Sequence, residues 1–379
     1  MLKSQLVVGI LLAAIGIAVL DQLAKPVVEE MRTHVISYAE RELRVPPYDA
    51  VVYTPLWIEH LRGELDGRKP VIGFFGSSTV YGSTVKKSQN TAAGVFQNGL
   101  QDYRVVNLGL SGARFTDTYT ILQSIIEQVD IVIFEINYGM TVVSDNEPEA
   151  IAYPTLAGKL GYPIKREWLA PFPDKNEHSL PGGLHSWIAS GLDRVTLYRE
   201  RDVLSYYLFK TRTPKEKIRR ELAKQSGKTT PADPMYKAYD SMTKESKQRI
   251  DQGFRKLYTW NKPFSEEDSF GLFMIGKTLD LLQRHNKKAF FYTAPLDYSL
   301  IQNRNLLQWD DYERVMGVYC SLVESRGYPF LEFNRRTPVI PHHLYRDPTH
   351  LTDAGSRQFG EILFRQIVPQ LKEAGDVSA

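Results

Sequence analysis

The sequence predicts an α/β fold built on an open, doubly wound parallel sheet, and three observations carry that expectation. Five short apolar runs, VIGFF (71–75), YRVVNL (103–108), DIVIFEI (130–136), KAFFYTA (288–294) and YPFLEF (328–333), read as strands buried on both faces. Helical patterns over 91–100, 117–128, 270–285 and 309–326 separate them, and strands alternating with helices make a parallel sheet covered on both sides. Glycine, serine and asparagine follow the first three runs directly, at the strand ends where open α/β sheets collect ligands.

The bulk numbers agree with a folded, enlarged domain or a domain with an insert. Of 379 residues, 42% are hydrophobic and 24% charged, the ordinary balance of a globular protein. The formal charge of +3 is small, and lysine and arginine are mixed with acids, so nucleic acid is not expected as a partner. Cys320 is the single cysteine, which leaves no intrachain disulfide and no cysteine cluster for zinc. Lying in a helical pattern with Val318, Leu322 and Val323, it reads as a small packing residue.

Taken in order, the chain begins with LVVGILLAAIGIAVL (6–20), an uncharged run after Lys3 that fits a signal anchor or a cleaved export signal. Fifteen residues rise about 22 Å, short of a hydrocarbon core of about 30 Å. No A-x-A site precedes a polar start, and apolar spacing resumes at Leu23 and Val27, which favours an uncleaved transmembrane anchor over 1–24 with the body outside the cytoplasm. Residues 25–62 then read as an amphipathic stalk or packing helix, and 63–379 as the α/β domain. Residues 141–263 interrupt that domain without a strong strand signal. Rich in Pro, Tyr and Trp, they read as a mostly helical insertion, with a lid as one role.

The chemistry is sought at the strand ends. After the first run, Gly76, Ser77, Ser78 and Gly82 form a turn that presents a side chain at a helix start, but lysine is missing where a phosphate loop needs it. The closing glycine of a G-x-S-x-G elbow is missing too. A nucleophilic serine requires a base, a carboxylate to orient that base, and donors for the oxyanion. RDPTHLTDAG supplies Asp347 and His350 three residues apart, so a turn can set the carboxylate beside the imidazole. NLGLSGAR supplies Gly109 and Gly112 for close backbone approach, and FEINYG supplies the Asn137 amide. Ser78 equally suits a helix cap, and Asn137 a strand-end cap. His342 and His343 are adjacent on a loop and do not both point readily at one ion, so no metal is expected. Trp57 and Trp309 read as packing residues.

Together FGSSTVYG, NLGLSGAR and DPTH resemble, in order and placement, the SGNH hydrolases, also called GDSL-like lipases and acylhydrolases. The resemblance covers roughly 71–137 and 288–371 and implies a flavodoxin-like three-layer α/β/α fold with a five-stranded, mainly parallel sheet. It makes Ser78 the nucleophile, with Ser77 where the family usually has aspartate, and Asp347 and His350 the rest of the triad. Ser78, Gly112 and Asn137 then form the oxyanion hole. The third block departs from the family's G-x-N-D, reading Glu135-Ile136-Asn137-Tyr138. With its N-terminal anchor and large insert, the chain is similar to extracytoplasmic members that add or remove acyl groups on cell-envelope polysaccharides, including alginate acetylation and D-alanyl transfer proteins. The function so implied is that of a membrane-anchored serine esterase or O-acyltransferase needing no cofactor. Its implied partners are an acyl donor or acylated carbohydrate, the membrane, and a membrane-bound donor protein. The alternative is a non-catalytic binding or assembly protein on the same fold.

Overall fold

In the computed structural model, which describes residues 2–47, 50–64, 69–146, 154–161, 165–168, 172, 195–209, 217–218, 221–222 and 235–373, the five apolar runs form one parallel sheet. Its strands are β1 (Val71–Phe75), β2 (Arg104–Asn107), β3 (Ile131–Glu135), β4 (Lys288–Tyr292) and β5 (Phe330–Leu331), in the order β2-β1-β3-β4-β5. Ile72 pairs with Val105 on one side and Ile131 on the other, and Ile131 pairs with Lys288. This is the doubly wound order whose switch point lies between β1 and β3. The edge strand β5 is shorter than YPFLEF suggests, because after Leu331 the side chains of Glu332 and Asn334 turn to bind Thr293 and the Ala294 carbonyl.

The helices in chain order are α1 (Leu2–Glu42), α2 (Ala50–Glu64), α3 (Ser78–Tyr81), α4 (Ala92–Gly99), α5 (Phe115–Ile125), α6 (Tyr138–Asn146) and α7 (Pro154–Leu160). They continue with α8 (Thr196–Arg199), α9 (Arg201–Phe209), α10 (Lys244–Leu257), α11 (Phe270–Arg284), α12 (Tyr298–Arg304), α13 (Trp309–Ser325) and α14 (Asp353–Glu373). Side-chain caps fix several starts: Thr91 accepts from Gly94 N, Thr243 from Ser246 N, Ser269 from Leu272 N and Asp297 from Leu300 N.

Strand alternation sends two sets of side chains to two layers. Ile72, Phe74, Ile131, Ile133, Phe290 and Tyr292 meet Phe96 of α4 and Phe359, Leu363 and Ile367 of α14. Phe96 stands edge-on to both Phe74 and Phe364, with centroids 5.0 and 5.1 Å away. Phe75, Val132, Phe134 and Phe291 point to the opposite face and are equally buried. On that side Phe115 of α5 lies 6.0 Å from Tyr319 of α13, and α11 packs against α5 and α13.

The chain divides into two compact units, residues 1–37 with 177–231, and residues 38–176 with 232–379. In the first, Ala24 and Val28 of α1 pack with Leu204 of α9, and Asp21 accepts the Leu197 N–H at 2.8 Å. The expected anchor (1–24) and stalk (25–62) fall on two helices. One helix runs through Pro26 to Glu42, and a second, α2, buries Val51, Val52, Tyr53, Trp57, Ile58 and Leu61. No helix among the described residues is long and apolar enough to cross a membrane. The uncharged run stops at Asp21, short of the roughly 20 apolar residues a span needs. Between 141 and 263 the described residues are helical with no strand, yet 177–231 belong with the N-terminal unit and 232–263 with the α/β unit. Most of the basic stretch KTRTPKEKIRRELAKQSGK (210–228) lies outside the described residues.

Candidate active site

The loop after β1 is held from three sides. Gly76 leaves room for Glu135, since a Cβ there would come within 2.6 Å of the Glu135 carboxylate. Ser78 opens the four-residue α3, which ends at Gly82 with φ 73°, the left-handed region that glycine adopts without strain. Buried Arg44 donates to the carbonyls of Tyr81, Gly82 and Val85 at 3.0, 2.5 and 2.7 Å, taking up acceptors that a helix end leaves open. Beyond α3, Thr84 Oγ1 donates to the Leu351 carbonyl at 2.7 Å, and Asp353 accepts the N–H groups of Lys86 and Lys87 at 3.0 and 3.1 Å. Those bonds tie the Ser78 loop to the segment that carries His350.

That segment is a narrow turn closed by an antiparallel bridge between Tyr345 and Leu351. Inside it Asp347 Oδ1 accepts from Thr349 N and His350 N at 3.0 and 2.9 Å, the local turn that aspartate favours. The structure thereby brings Ser78, His350 and Asp347 together although they come from opposite ends of the domain. Ser78 Oγ lies 2.8 Å from His350 Nε2, and His350 Nδ1 lies 2.9 Å from both Asp347 oxygens. With Nδ1–H donated to the carboxylate, Nε2 is left as acceptor for the serine proton.

Electrostatics favours that arrangement. Burial pushes the Asp347 carboxyl up, but the His350 charge and hydrogen bond, joined by the N–H groups of Thr349 and His350, outweigh it and hold Asp347 down to about 2. Burial pushes His350 down, and the charge and hydrogen bond of Asp347 overcome it, leaving the imidazole more basic than an ordinary histidine. A stronger base is better suited to take a serine proton.

Gly112 and Asn137 line the same cavity as Ser77, Ser78, Asp347 and His350, of about 580 Å3. Gly112 has φ 77°, which explains glycine there. The Asn137 oxygen accepts the Gly139 N–H at 2.8 Å and faces the Tyr258 hydroxyl at 3.4 Å, while its amide nitrogen donates to the Glu135 carboxylate. Gly109 is not on the cavity. Its N–H donates to Asn107 Oδ1 at 3.0 Å, and a Cβ would meet Tyr81 N at 2.5 Å, a close approach only glycine allows.

Sequence reasoning missed several parts of this site. Glu135, fully buried at the end of β3, accepts from Ser77 N and Ser77 Oγ at 2.8 and 3.1 Å and from Thr79 Oγ1, so it grips both neighbours of Ser78. Burial raises its pKa, against the pull of these hydrogen bonds. Helix α10 forms a cavity wall through Arg249, Ile250, Gly253, Phe254 and Leu257, and Phe254 stacks on Tyr258 at 3.9 Å. No sequence signal separated these residues from ordinary helix and strand ends. His342 sits between two carboxylates, with Nδ1 2.5 Å from Asp297 and Nε2 2.9 Å from Asp240. Trp57 and Trp309 are buried, at 3% and 8% exposure, as packing residues would be. Cys320 is only half-buried, and burial followed by the charge of Glu324 pushes its thiol up to about 11.

No family model matches the chain, and no curated protein matches it. Among solved structures, the chain is similar to one from Desulfitobacterium hafniense DCB-2 that is assigned as a lipolytic protein of the G-D-S-L family, at 11% identity and a TM-score of 0.34, covering 78% of this chain and 99% of that one. A second solved chain is 12% identical with a TM-score of 0.32, covering 81% of this chain and 97% of that one.

Proposed function

We propose that the protein is a serine esterase or O-acyltransferase of the SGNH type, working through an acyl-enzyme. The observation that carries this reading is the Ser78–His350–Asp347 relay, with 2.8 Å between hydroxyl and imidazole and 2.9 Å between imidazole and carboxylate. His350 takes the Ser78 proton as the oxygen attacks an ester carbonyl, and Asp347 stabilises the imidazolium that results. The oxyanion is received by the N–H groups of Ser78 and Gly112 and by the Asn137 amide. His350 then returns the proton to the leaving alcohol. Water as second acceptor completes hydrolysis, and a sugar hydroxyl completes transfer.

Acetyl or other acyl groups on an envelope or exported polysaccharide are the substrate class of this reading, supported by the resemblance in the sequence motifs. The cavity suits an acyl group beside a polar acceptor, because Met140, Ile250 and Phe254 share it with Arg114 and Arg249. Attachment to a membrane with the α/β unit outside the cytoplasm belongs to the same proposal. Its support is the uncharged run 6–20, in which Val8, Leu11, Leu12, Ile15, Ile17 and Val19 are exposed. Cell fractionation with protease protection tests it.

The activity is tested by incubating the protein with acetyl, longer acyl and D-alanyl ester donors, with and without oligosaccharide, against Ser78→Ala. Ester cleavage or transfer that disappears in the variant is expected. Turnover that survives the substitution removes Ser78 as nucleophile.

A further inference from the structure

We propose that Glu135 is a positioning residue for the nucleophile: its carboxylate clamps both neighbours of Ser78 and sets a second negative charge behind His350. The inference rests on the serine-hydrolase reading of the site and deepens it.

The clamp follows from which atoms Glu135 holds. One carboxylate oxygen accepts the backbone N–H and the hydroxyl of Ser77, and the other accepts the hydroxyl of Thr79. Ser78 lies between these two anchored residues, so the direction of its Oγ toward His350 is set by a side chain from the neighbouring strand. Gly76 is what lets that carboxylate come so close. A shift of about 1 Å at a reacting group costs on the order of a hundredfold in rate, so such a clamp bears on turnover directly.

The charge follows from what surrounds it. Among the described residues no salt bridge neutralises Glu135; the hydroxyls and N–H groups of Ser77, Thr79 and Asn137 donate to its ionised form and favour it against the burial that raises its pKa. Glu135, Ser78, Thr79 and His350 line one small void of about 30 Å3, so no thick layer of protein or solvent separates the carboxylate from the imidazole. The groups acting on His350 are Asp347 in contact, Arg346 on the same turn and Glu135 from β3; the charges of Asp347 and Glu135 also act on the Tyr258 hydroxyl, and that of Glu135 on Tyr292. Asp347 and Glu135 favour the imidazolium, and Arg346 opposes it.

The two roles separate by substitution. Glu135→Gln keeps an oxygen for Ser77 and offers an N–H that Thr79 Oγ1 can accept, so it preserves the clamp and removes the charge. Glu135→Ala removes both. The first measurement is the NMR titration of the His350 ring in Ser78→Ala with and without Glu135→Gln, which needs no activity. A lower midpoint in the double variant is expected; an unchanged midpoint overturns the charge role. The second is steady-state kinetics in the Ser78-containing protein. Glu135→Gln is expected to keep KM and to shift the acid limb of kcat/KM downward, whereas Glu135→Ala loses about a hundredfold in kcat at little change in KM. Wild-type kcat in Glu135→Ala overturns the clamp. Should the alanine variant fail to fold, Ser77→Ala/Thr79→Val, which removes both hydroxyl arms, takes its place under the same criterion. Activity that persists in Ser78→Ala defeats the serine-hydrolase reading instead, and the ring titration still reports on Glu135.

Discussion

At Asp347 and His350 the direction of each pKa shift fixes a pH dependence. His350 must be neutral to act as base, and its pKa is raised, so the acid limb of kcat/KM is expected above the ordinary histidine value of about 6.5. A pH–rate profile checks this. For stability the two residues act in opposite directions. Asp347, lowered from 3.8 to about 2, contributes stability that is present above its ordinary value and lost as pH falls toward 2. His350 contributes stability that is present while it is protonated and lost as pH rises through its raised pKa. Thermal unfolding across pH is therefore expected to show an acid-side loss that Asp347→Asn flattens. The same variant is expected to lower kcat by about 10^4, and Asn137→Ala by about 10^2 to 10^3, in an ester assay. What could be read from the sequence at this scale was the part written locally. DPTH holds carboxylate and imidazole three residues apart, and the serines follow a strand at once. Glu135 was not legible because its partners are 56 and 58 residues away, nor was Arg44, whose acceptors lie 37 to 41 residues on. A side chain closed into a turn by distant sequence looks, from its neighbours alone, like the end of a strand.

Elements bring these residues within reach, and close packing between them sets the tolerances. Gly109 sits where the backbone after β2 passes the α3 backbone, and a methyl group there would stand 2.5 Å from Tyr81 N. Gly109→Ala must displace the element that carries Ser78. It is expected to destabilise by about 1–3 kcal/mol and to lower ester turnover by more than its unfolded fraction explains, as calorimetry beside active-site titration would show. Strand positions were legible because continuous apolar runs have one good use in an alternating α/β pattern. Helix α10 lies inside the insertion read as mostly helical, and nothing marked it as a cavity wall, since an amphipathic pattern describes one buried face without saying what that face meets. At the N-terminus, α1 continues through Pro26, and Asp21 ends the uncharged run 6–20 within that helix.

Over the whole α/β unit, stability and activity draw on the same sheet. Phe96 joins α4 to the sheet and to α14, so Phe96→Ala is expected to cost about 3–5 kcal/mol, with a matching fall in the denaturant midpoint. The order β2-β1-β3-β4-β5 puts the ends of β1 and β3 side by side, which is why Ser78 and Asn137 share one cavity. That order follows from strand lengths and crossover rules only after the strands are known, so it is a property of the assembled sheet rather than of any run.

The hydrogen bond between Ser78 and His350 spans 272 residues of chain. At ribosomal rates of about 5–20 residues per second, roughly 15–50 seconds pass between synthesis of the nucleophile and synthesis of its base. On the proposed serine-hydrolase reading, Ser78 gains its base only once His350 has followed it out of the ribosome and the two ends of the α/β unit have met.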